Sequence, residues 1–458
     1  MHRDETPTRT PTDFQRVRRD VLCCMSVALV LRLLTCWWYT PHLTEDLDAY
    51  AGNAQSLADG RGFSSPGSTV PTAYRPPLFP LLLTALMAFT PVTWSVAILQ
   101  IVMGVAAVAM TWRLGRELRL ERYALLAALL VSVDPILLYF GTYPMTEVCC
   151  AFFTTAWCWF VVRATRGSER TTASSVAWTN FGGGVVFGLA ALCRPTLWAA
   201  GGLYGCYLIA SLLIARRRHA PIRLSGLIAH LVGAVLIVSP WVIRNQMVFG
   251  TPILTTTHGG YTLLLGNNPT FYEEVVDRPW GTVWGGGSLS AWQRSLEMQM
   301  RQGNVDGEIE RDRWMNRRAK EFIREHPATF LKACVKRFFW FWNPVPLETN
   351  ESPFSQVARW GVGLYYGAVT LLMIVGGGLL VARYKPIIGS DAVDRRNAMD
   401  WAVVVMTVLG FAGTHLIYWS NMRMRGPIVP LISLLAAVGV QRLAARRSKK
   451  DVAAGETP

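Results

Sequence analysis

Apolar residues in this chain gather in long runs separated by short polar segments that are mostly basic. The runs cover 21–39, 77–91, 94–112, 224–243, 356–382, 401–419 and 426–443. Two more lie between 122 and 163, meeting near Pro144, and two between 170 and 216, meeting near Arg194 and Pro195. Most approach the roughly 20 residues that a membrane-spanning helix needs. The run 77–91, PLFPLLLTALMAFTP, is short and bracketed by prolines, which remove backbone donors and stop helices.

Basic segments set the orientation. They are RVRR at 16–19, RLGRELRLER at 113–122, RATRGSER at 163–170, RRRHAPIR at 216–223, RYK at 383–385 with DRR at 394–396, and RRSKK at 446–450. If all face the cytoplasm, the runs between them cross in pairs. Three crossings before 113 would break that rule, so 77–91 is expected to be a re-entrant or interfacial helix on the outer face. The expectation is an all-α integral membrane protein of about ten transmembrane helices with both termini cytoplasmic. Its parts are an N-terminal tail, 1–20, and a transmembrane module, 21–243, containing a first outer loop at 40–76. An outer loop or cap at 244–355, C-terminal helices at 356–445 and a tail at 446–458 follow. Within the cap, 308–327 has helical periodicity, and 328–342 joins Lys and Arg to a dense aromatic end, as an interfacial helix does. The final DVAAGETP reads as disordered. The start, 16–40, reads as a retained first helix, since no small-residue cleavage site follows its apolar stretch.

Composition agrees with a bilayer. The chain is 51% hydrophobic and 16% charged, against about 25% charged in soluble domains. The net charge of +15 sits beside apolar runs, so it reflects topology and not nucleic-acid binding. Most of the nine cysteines lie inside the runs and show no metal-ligand spacing. The 18 tryptophans cluster at run ends, as interfacial belts do. The glycine runs FGGGVVFG (181–188) and VGGGLL (375–380) read as close helix contacts.

Ionisable residues at outer ends carry the candidate chemistry. TEDLDAY (44–50) holds Glu45, Asp46 and Asp48, on a short surface helix expected to begin at Asp46, with Tyr50, Ala54 and Leu57 on its apolar face. Capping of that helix is the plain alternative to catalysis. Glu147 opens a run just past Pro144, and an ionisable residue at membrane depth is by default functional. Arg75, Arg194, Arg244, Arg423 and Arg425 lie at outer ends against the positive-inside rule. Five arginines there call for an anion, and guanidinium binds phosphate through two parallel hydrogen bonds. Carboxylates beside a phosphate site fit group transfer from a lipid phosphate: a carboxylate accepts the proton of an acceptor hydroxyl and arginines stabilise charge on the departing phosphate. Arg32 and Asp134 are the main charges inside runs; Asp134 precedes Pro135 and can cap a half-helix.

In the order of its motifs the chain resembles the polytopic GT-C glycosyltransferases that use polyprenyl-phosphate sugars, the group of protein O-mannosyltransferases and the lipid A aminoarabinose transferase. DLDAYAGNAQSLADGRGF with PTAYRPPLFPLLL resembles that family's first outer loop, and YPMTEV its second acidic motif. LCRPT, PWVIRNQMVFGTPI, GGYTLLLGNNPT, AKEFIREHPATFL and RMRGPIVPLISLLAA resemble later segments. The resemblance implies a GT-C fold in the inner membrane and an active site on the periplasmic or extracytoplasmic face. It also implies a polyprenyl-phosphate sugar donor and a glycan, lipid or protein acceptor. By position Asp46 corresponds to the catalytic base, with Glu45 beside it in the reverse of the usual Asp–Glu order, and with Asp48 a rival. Glu147 is the second acidic position. Arg194, Arg244 and Arg425 correspond to donor-phosphate ligands, with Arg423 and Arg75 as further candidates. Tyr50, Asn245, His258 and Asn267 are candidate substrate contacts. No cofactor and no essential metal is expected, since no histidine supports the carboxylates. Two other readings compete. A transporter or flippase of a lipid-linked glycan would place its charges at midspan. An O-antigen ligase-like enzyme would depend on outer-loop histidines, and His258 and His326 keep it open.

Overall fold

The computed structural model describes residues 11–167, 172–214, 224–347, 356–384 and 392–455. The basic segment 216–223 lies outside them, as do the ends of both tails. Among the described residues the chain is all-α, with one isolated antiparallel bridge between Ser64 and Pro71.

Eight described helices are long and apolar enough to cross a membrane, and the chain is an integral membrane protein. The first half contains α1 (Pro11–Trp38), α2 (Tyr50–Ala58), α3 (Leu78–Met87), α4 (Val92–Glu117), α5 (Tyr123–Ser132), α6 (Pro135–Phe140), α7 (Glu147–Gly167), α8 (Ala173–Cys193), α9 (Thr196–Ile214) and α10 (Leu224–Phe249). The second contains α11 (Gly259–Gly266), α12 (Pro269–Phe271), α13 (Gly286–Gln302), α14 (Glu308–Glu325), α15 (Pro327–Trp342), α16 (Gln356–Tyr384), α17 (Ala392–Ile417) and α18 (Val429–Gly455). Counting α9 and the pair α5–α6 as one crossing each gives the ten expected.

α3 has ten residues and is therefore about 15 Å long, half the hydrocarbon thickness. It packs on α2 and α4, and the Thr84 hydroxyl donates to the Ala54 carbonyl at 3.1 Å. The α5–α6 break falls at Asp134, whose side chain accepts the Leu137 N–H at 2.9 Å and the Tyr366 hydroxyl at 2.9 Å. Pro135 then starts α6, where its missing N–H costs nothing. Arg32, 4% exposed, lies over Gly104 of α4, where a Cβ would come within 2.8 Å of its guanidinium.

The glycine runs are helix contacts. A Cβ on Gly376 would sit 2.0 Å from the Leu435 carbonyl oxygen, joining α16 to α18. On Gly184 it would sit 1.9 Å from the His230 carbonyl oxygen, where α8 meets α10. Backbone cannot move aside as a side chain can, so Gly184→Val is expected to separate α8 from α10 and lower thermal stability by about 1–3 kcal/mol. An unchanged melting temperature in detergent would contradict this contact.

Two boundaries differ from expectation. α18 continues to Gly455, through most of the segment read as disordered, because extending an existing helix costs far less than nucleating one. The first-loop helix begins at Tyr50 and not at Asp46. A 3₁₀ turn (Thr40–Thr44) precedes it, and Ala49 takes a left-handed φ of 63°.

Between α10 and α16 the chain folds into the helices α11–α15. Their two small cores are built around Leu263, Met300 and Met315, and around Phe271, Trp284 and Trp340. Arg337 of α15 is fully buried and ties these helices to the bundle. It donates to the carbonyls of Leu416, at 2.9 Å, and Ile417, at 3.1 Å, and to those of Gly266 and the Asn267 side chain.

Candidate functional site

The first outer loop, the start of α7, the α8–α9 junction and the 3₁₀ turn Met422–Ile428 before α18 converge at one end of the bundle. α7 begins with Glu147, whose side chain is fully buried. Two guanidiniums meet its Oε1: Arg423 Nε donates at 2.6 Å and Arg194 Nη1 at 3.1 Å. Arg194 stands in the extended break between α8 and α9, before Pro195. Arg423 is held by the turn that Asn421 caps, its Oδ1 accepting the Arg423 N–H at 3.1 Å.

Arg423 reaches further. Its Nη2 donates to Asp48 Oδ2 at 2.6 Å, and Arg75 Nη2 donates to Asp48 Oδ1 at 3.1 Å. The result is one continuous chain of charge, Arg75–Asp48–Arg423–Glu147–Arg194, with side chains at most 22% exposed. Burial alone would raise the Asp48 carboxyl, but Arg423 and Arg75 outweigh it and hold its pKa at about 2. Arg75 is itself positioned by rings, its guanidinium 5.5 Å from the Tyr50 centroid and 5.2 Å from that of Tyr74. Tyr50 is buried against Phe79, so it supports Arg75 from beneath.

The structure thus brings together Asp48, Glu147, Arg75, Arg194 and Arg423, and leaves other candidates elsewhere. Both oxygens of Asp46 accept backbone N–H groups of the first turn of α2, from Ala51 at 3.1 Å and Gly52 at 2.7 Å. Asp46 is a capping residue, the plain alternative for this acid. Glu45 is exposed. Arg244 donates to the carbonyls of Phe63, at 2.7 Å, and Thr72, at 2.9 Å, and to the Asn245 side chain at 2.9 Å. It staples the first outer loop to α10, and Asn245 continues that staple to the Ile253 carbonyl at 3.0 Å. Arg425 is 1% exposed and donates to the carbonyls of Phe341 and Asn343, beneath the Tyr366 ring. Arg244 and Arg425 were grouped with the phosphate ligands because both stand at outer ends. Backbone carbonyls that no sequence pattern displays take their donors instead. Asn267 likewise serves Tyr272, Arg337 and the Ile417 carbonyl. His258 is half-buried between Tyr74 and Tyr261, and desolvation together with the Arg75 charge pushes its pKa down to about 3, so the ring is neutral. His326 is exposed.

Glu308, at the start of α14, was missed. Its carboxylate accepts the Thr72 hydroxyl at 2.6 Å, the Ala73 N–H at 2.7 Å and the Thr257 hydroxyl, clamping α14 to the first outer loop. In sequence it is one more acid in the first turn of an exposed, charge-rich helix.

Two cavities adjoin the charged chain. An apolar groove of about 400 Å³ is walled by Phe140, Trp284, Trp340 and Trp419 and lined also by Arg423. A more polar cavity of about 600 Å³, between the first outer loop and α13–α14, counts Ala49 and Arg75 among its lining residues. A larger crevice of about 780 Å³ among α8, α9 and α10 is lined by no Asp, Glu, Lys or Arg. Among the described residues no group of three or more His, Cys, Asp or Glu can hold a metal ion.

Residues 74–243 match the family model of the dolichyl-phosphate-mannose-protein mannosyltransferases. The match includes Arg75, Glu147 and Arg194 and stops short of Asp48 and Arg423. A comparison with curated protein sequences returns no match. Among solved structures, the archaeal oligosaccharyltransferase AglB from Archaeoglobus fulgidus, in complex with an inhibitory peptide and a dolichol-phosphate, is similar with a TM-score of 0.55 at 13% identity. That alignment covers 95% of this chain and 51% of that one. The apo form of the A. fulgidus enzyme gives 0.56 at 13% identity, over 95% and 52%. ArnT from Cupriavidus metallidurans bound to undecaprenyl phosphate gives 0.43 at 12% identity, over 93% of this chain and 78% of that one. The chain spans about half the length of the oligosaccharyltransferase it resembles. Its fold is similar to that of the archaeal oligosaccharyltransferase.

Proposed function

We propose that the chain transfers a single sugar from a polyprenyl-phosphate donor to a hydroxyl acceptor, at the extracytoplasmic face of the cell membrane. The observation that carries this reading is Asp48 held between two arginines, one of which, Arg423, lines an apolar groove. The groove takes the first isoprene units and the arginines take the phosphate. Arg423, Arg194 and Arg75 supply paired donors that match phosphate oxygens. Asp48 accepts the proton of the acceptor hydroxyl. The acceptor oxygen forms its bond to the sugar C1 as the C1–O bond to phosphate breaks. The phosphate leaves with one more negative charge than it had as a diester, and the guanidiniums stabilise that charge where it develops. Glu147 touches neither reacting atom in this scheme. It positions Arg423 and Arg194 and offsets their mutual repulsion.

In the donor-free state Asp48 is a poor base, because its two arginines depress its pKa. A donor phosphate competes for those arginines. As they turn toward it the Asp48 carboxylate loses its partners and becomes more basic. Base activation is therefore coupled to donor binding, and donor binds before acceptor.

The reaction is proposed to need no divalent metal, since the carboxylates beside the groove already hold guanidiniums. The test is the purified chain in liposomes with radiolabelled polyprenyl-phosphate sugars and an extract of cell-envelope acceptors. Label is expected in the acceptor fraction at the same rate with or without EDTA. If no monophosphate donor gives transfer, the donor class is wrong. If EDTA abolishes transfer, the metal-free scheme is wrong.

A further inference from the structure

We infer that the more polar cavity, between the first outer loop and α13–α14, is the acceptor site, and that it takes an uncharged, hydroxyl-rich sugar unit. This deepens the reading above and rests on it.

The first argument is placement. Ala49 and Arg75 line this cavity and Arg423 lines the apolar groove. Asp48 is bonded to both arginines. Asp48 itself lines neither cavity, but through Arg75 and Arg423 it is bonded to one lining residue of each. A transfer reaction needs donor and acceptor to reach one base from different directions. The groove has the apolar aromatic wall a lipid requires, which leaves the more polar cavity for the acceptor. Its volume of about 600 Å³ lies within the range of small-ligand sites, roughly 300–1,000 Å³.

The second argument is unsatisfied hydrogen bonding. Asn53 is 1% exposed, and its Oδ1 has no partner. Arg75 Nε is buried and has none either. Both residues line the cavity. Orphaned buried polar atoms are uncommon and call for an explanation. One orphan accepts and the other donates. A hydroxyl does both, so a hydroxyl-rich ligand offers the kind of partner that each orphan lacks.

The third argument is charge. Four charged residues line the cavity: Arg75, Glu297, Glu308 and Arg311. Arg75 is paired with Asp48, Arg311 with Glu297 at 3.3 Å, and Glu308 with two hydroxyls and a backbone N–H. Each lining charge therefore has a protein partner, and the one released in the reading above, Arg75, goes to the donor phosphate. Tyr74 and Tyr261 also line the cavity, although Arg75 lies over the first ring and His258 stacks on the second. An extended peptide would instead need a strand edge to pair with, and the described residues here have none.

The test uses the full chain in nanodiscs, charged with undecaprenyl phosphate, and neutral gluco- and manno-trisaccharides as probes. Binding is read by saturation-transfer NMR. Gln293→Cys places a thiol on the cavity wall, to be blocked with a bulky impermeant maleimide. Met298→Cys places one on the same helix, outside the cavity and exposed. Treated wild-type chain corrects for its own exposed thiols, Cys23 and Cys206. Trisaccharide signal is expected from the wild type and from blocked Met298→Cys, and at least tenfold less from blocked Gln293→Cys, with undecaprenyl phosphate binding unchanged in all three. No trisaccharide signal from the wild type, or a signal that survives the block at 293, overturns the inference. Binding of a Ser/Thr peptide in place of the sugars, abolished by the same block, overturns its chemical class. Failure to bind undecaprenyl phosphate would instead sink the donor reading.

Discussion

Asp48→Asn is expected to abolish sugar transfer while tightening the hold on the lipid phosphate. The two effects have one cause. Asp48 now occupies guanidinium donors of Arg423 and Arg75 that the donor phosphate needs. An asparagine amide is uncharged and gives them up more readily. A hydrogen bond to a charged group is worth about 1.5–3 kcal/mol, and about 1.4 kcal/mol is a factor of ten. Undecaprenyl phosphate should therefore bind on the order of tenfold tighter. Transfer should fall about 10²- to 10⁴-fold, the usual contribution of a general base. Asp46→Asn is the contrast. Its carboxylate caps α2, so the substitution should cost about 1 kcal/mol of stability or less and leave donor affinity unchanged. Quenching of tryptophan fluorescence by added lipid phosphate measures affinity, and label transfer measures turnover. Weaker lipid binding in Asp48→Asn would refute the competition. Loss of transfer confined to Asp46→Asn would return the base to Asp46.

The same pairing implies a pH effect of definite sign. The folded-state pKa of Asp48, about 2, lies below the roughly 3.9 of an unfolded aspartate. Its ion pairs therefore stabilise the fold above about pH 4, and that stabilisation is lost as pH falls from about 4 toward 2.

Arg423→Met should be the most destabilising single change at the site. Among the described residues, Arg423 is the only group bonded to both Asp48 and Glu147. Removing it leaves the fully buried Glu147 with Arg194 alone, and breaking a buried ion pair by deleting one partner costs about 3–5 kcal/mol. Arg423→Lys should recover little, because one ammonium cannot span two carboxylates as a planar fork does. Pairing Arg423→Met with Glu147→Gln should restore part of the lost stability, since the stranded charge is then gone. That non-additivity is the signature of direct contact. Thermal unfolding in detergent gives the stability, and the liposome assay gives turnover, which should be lost in every Arg423 variant. Wild-type stability and donor affinity in Arg423→Met would mean that the charged chain does not operate.

Much of this molecule was legible in its pattern of residues. Spans follow from run length because the bilayer has a fixed thickness. The short helix at Leu78–Met87, the half-helix capped by Asp134 and the glycine contacts at 184 and 376 all follow from local rules about proline, carboxylates and small residues. So does the cluster of acids and arginines at outer ends, because charge at a membrane boundary is costly without a task. Pattern alone could not say which charges share a site. Asp46 and Asp48 differ by two positions and look interchangeable, yet one caps a helix and the other joins two arginines. Arg244 and Arg423 look alike in sequence, yet one faces carbonyls and the other carboxylates. These partners come from segments up to 375 residues apart, and pairing at that range is set by how the helices pack. Local composition determined that this is an all-α membrane protein; only the tertiary structure decided which guanidinium meets which anion, because each hydrogen bond depends on side-chain positions that packing, and not spacing, assigns.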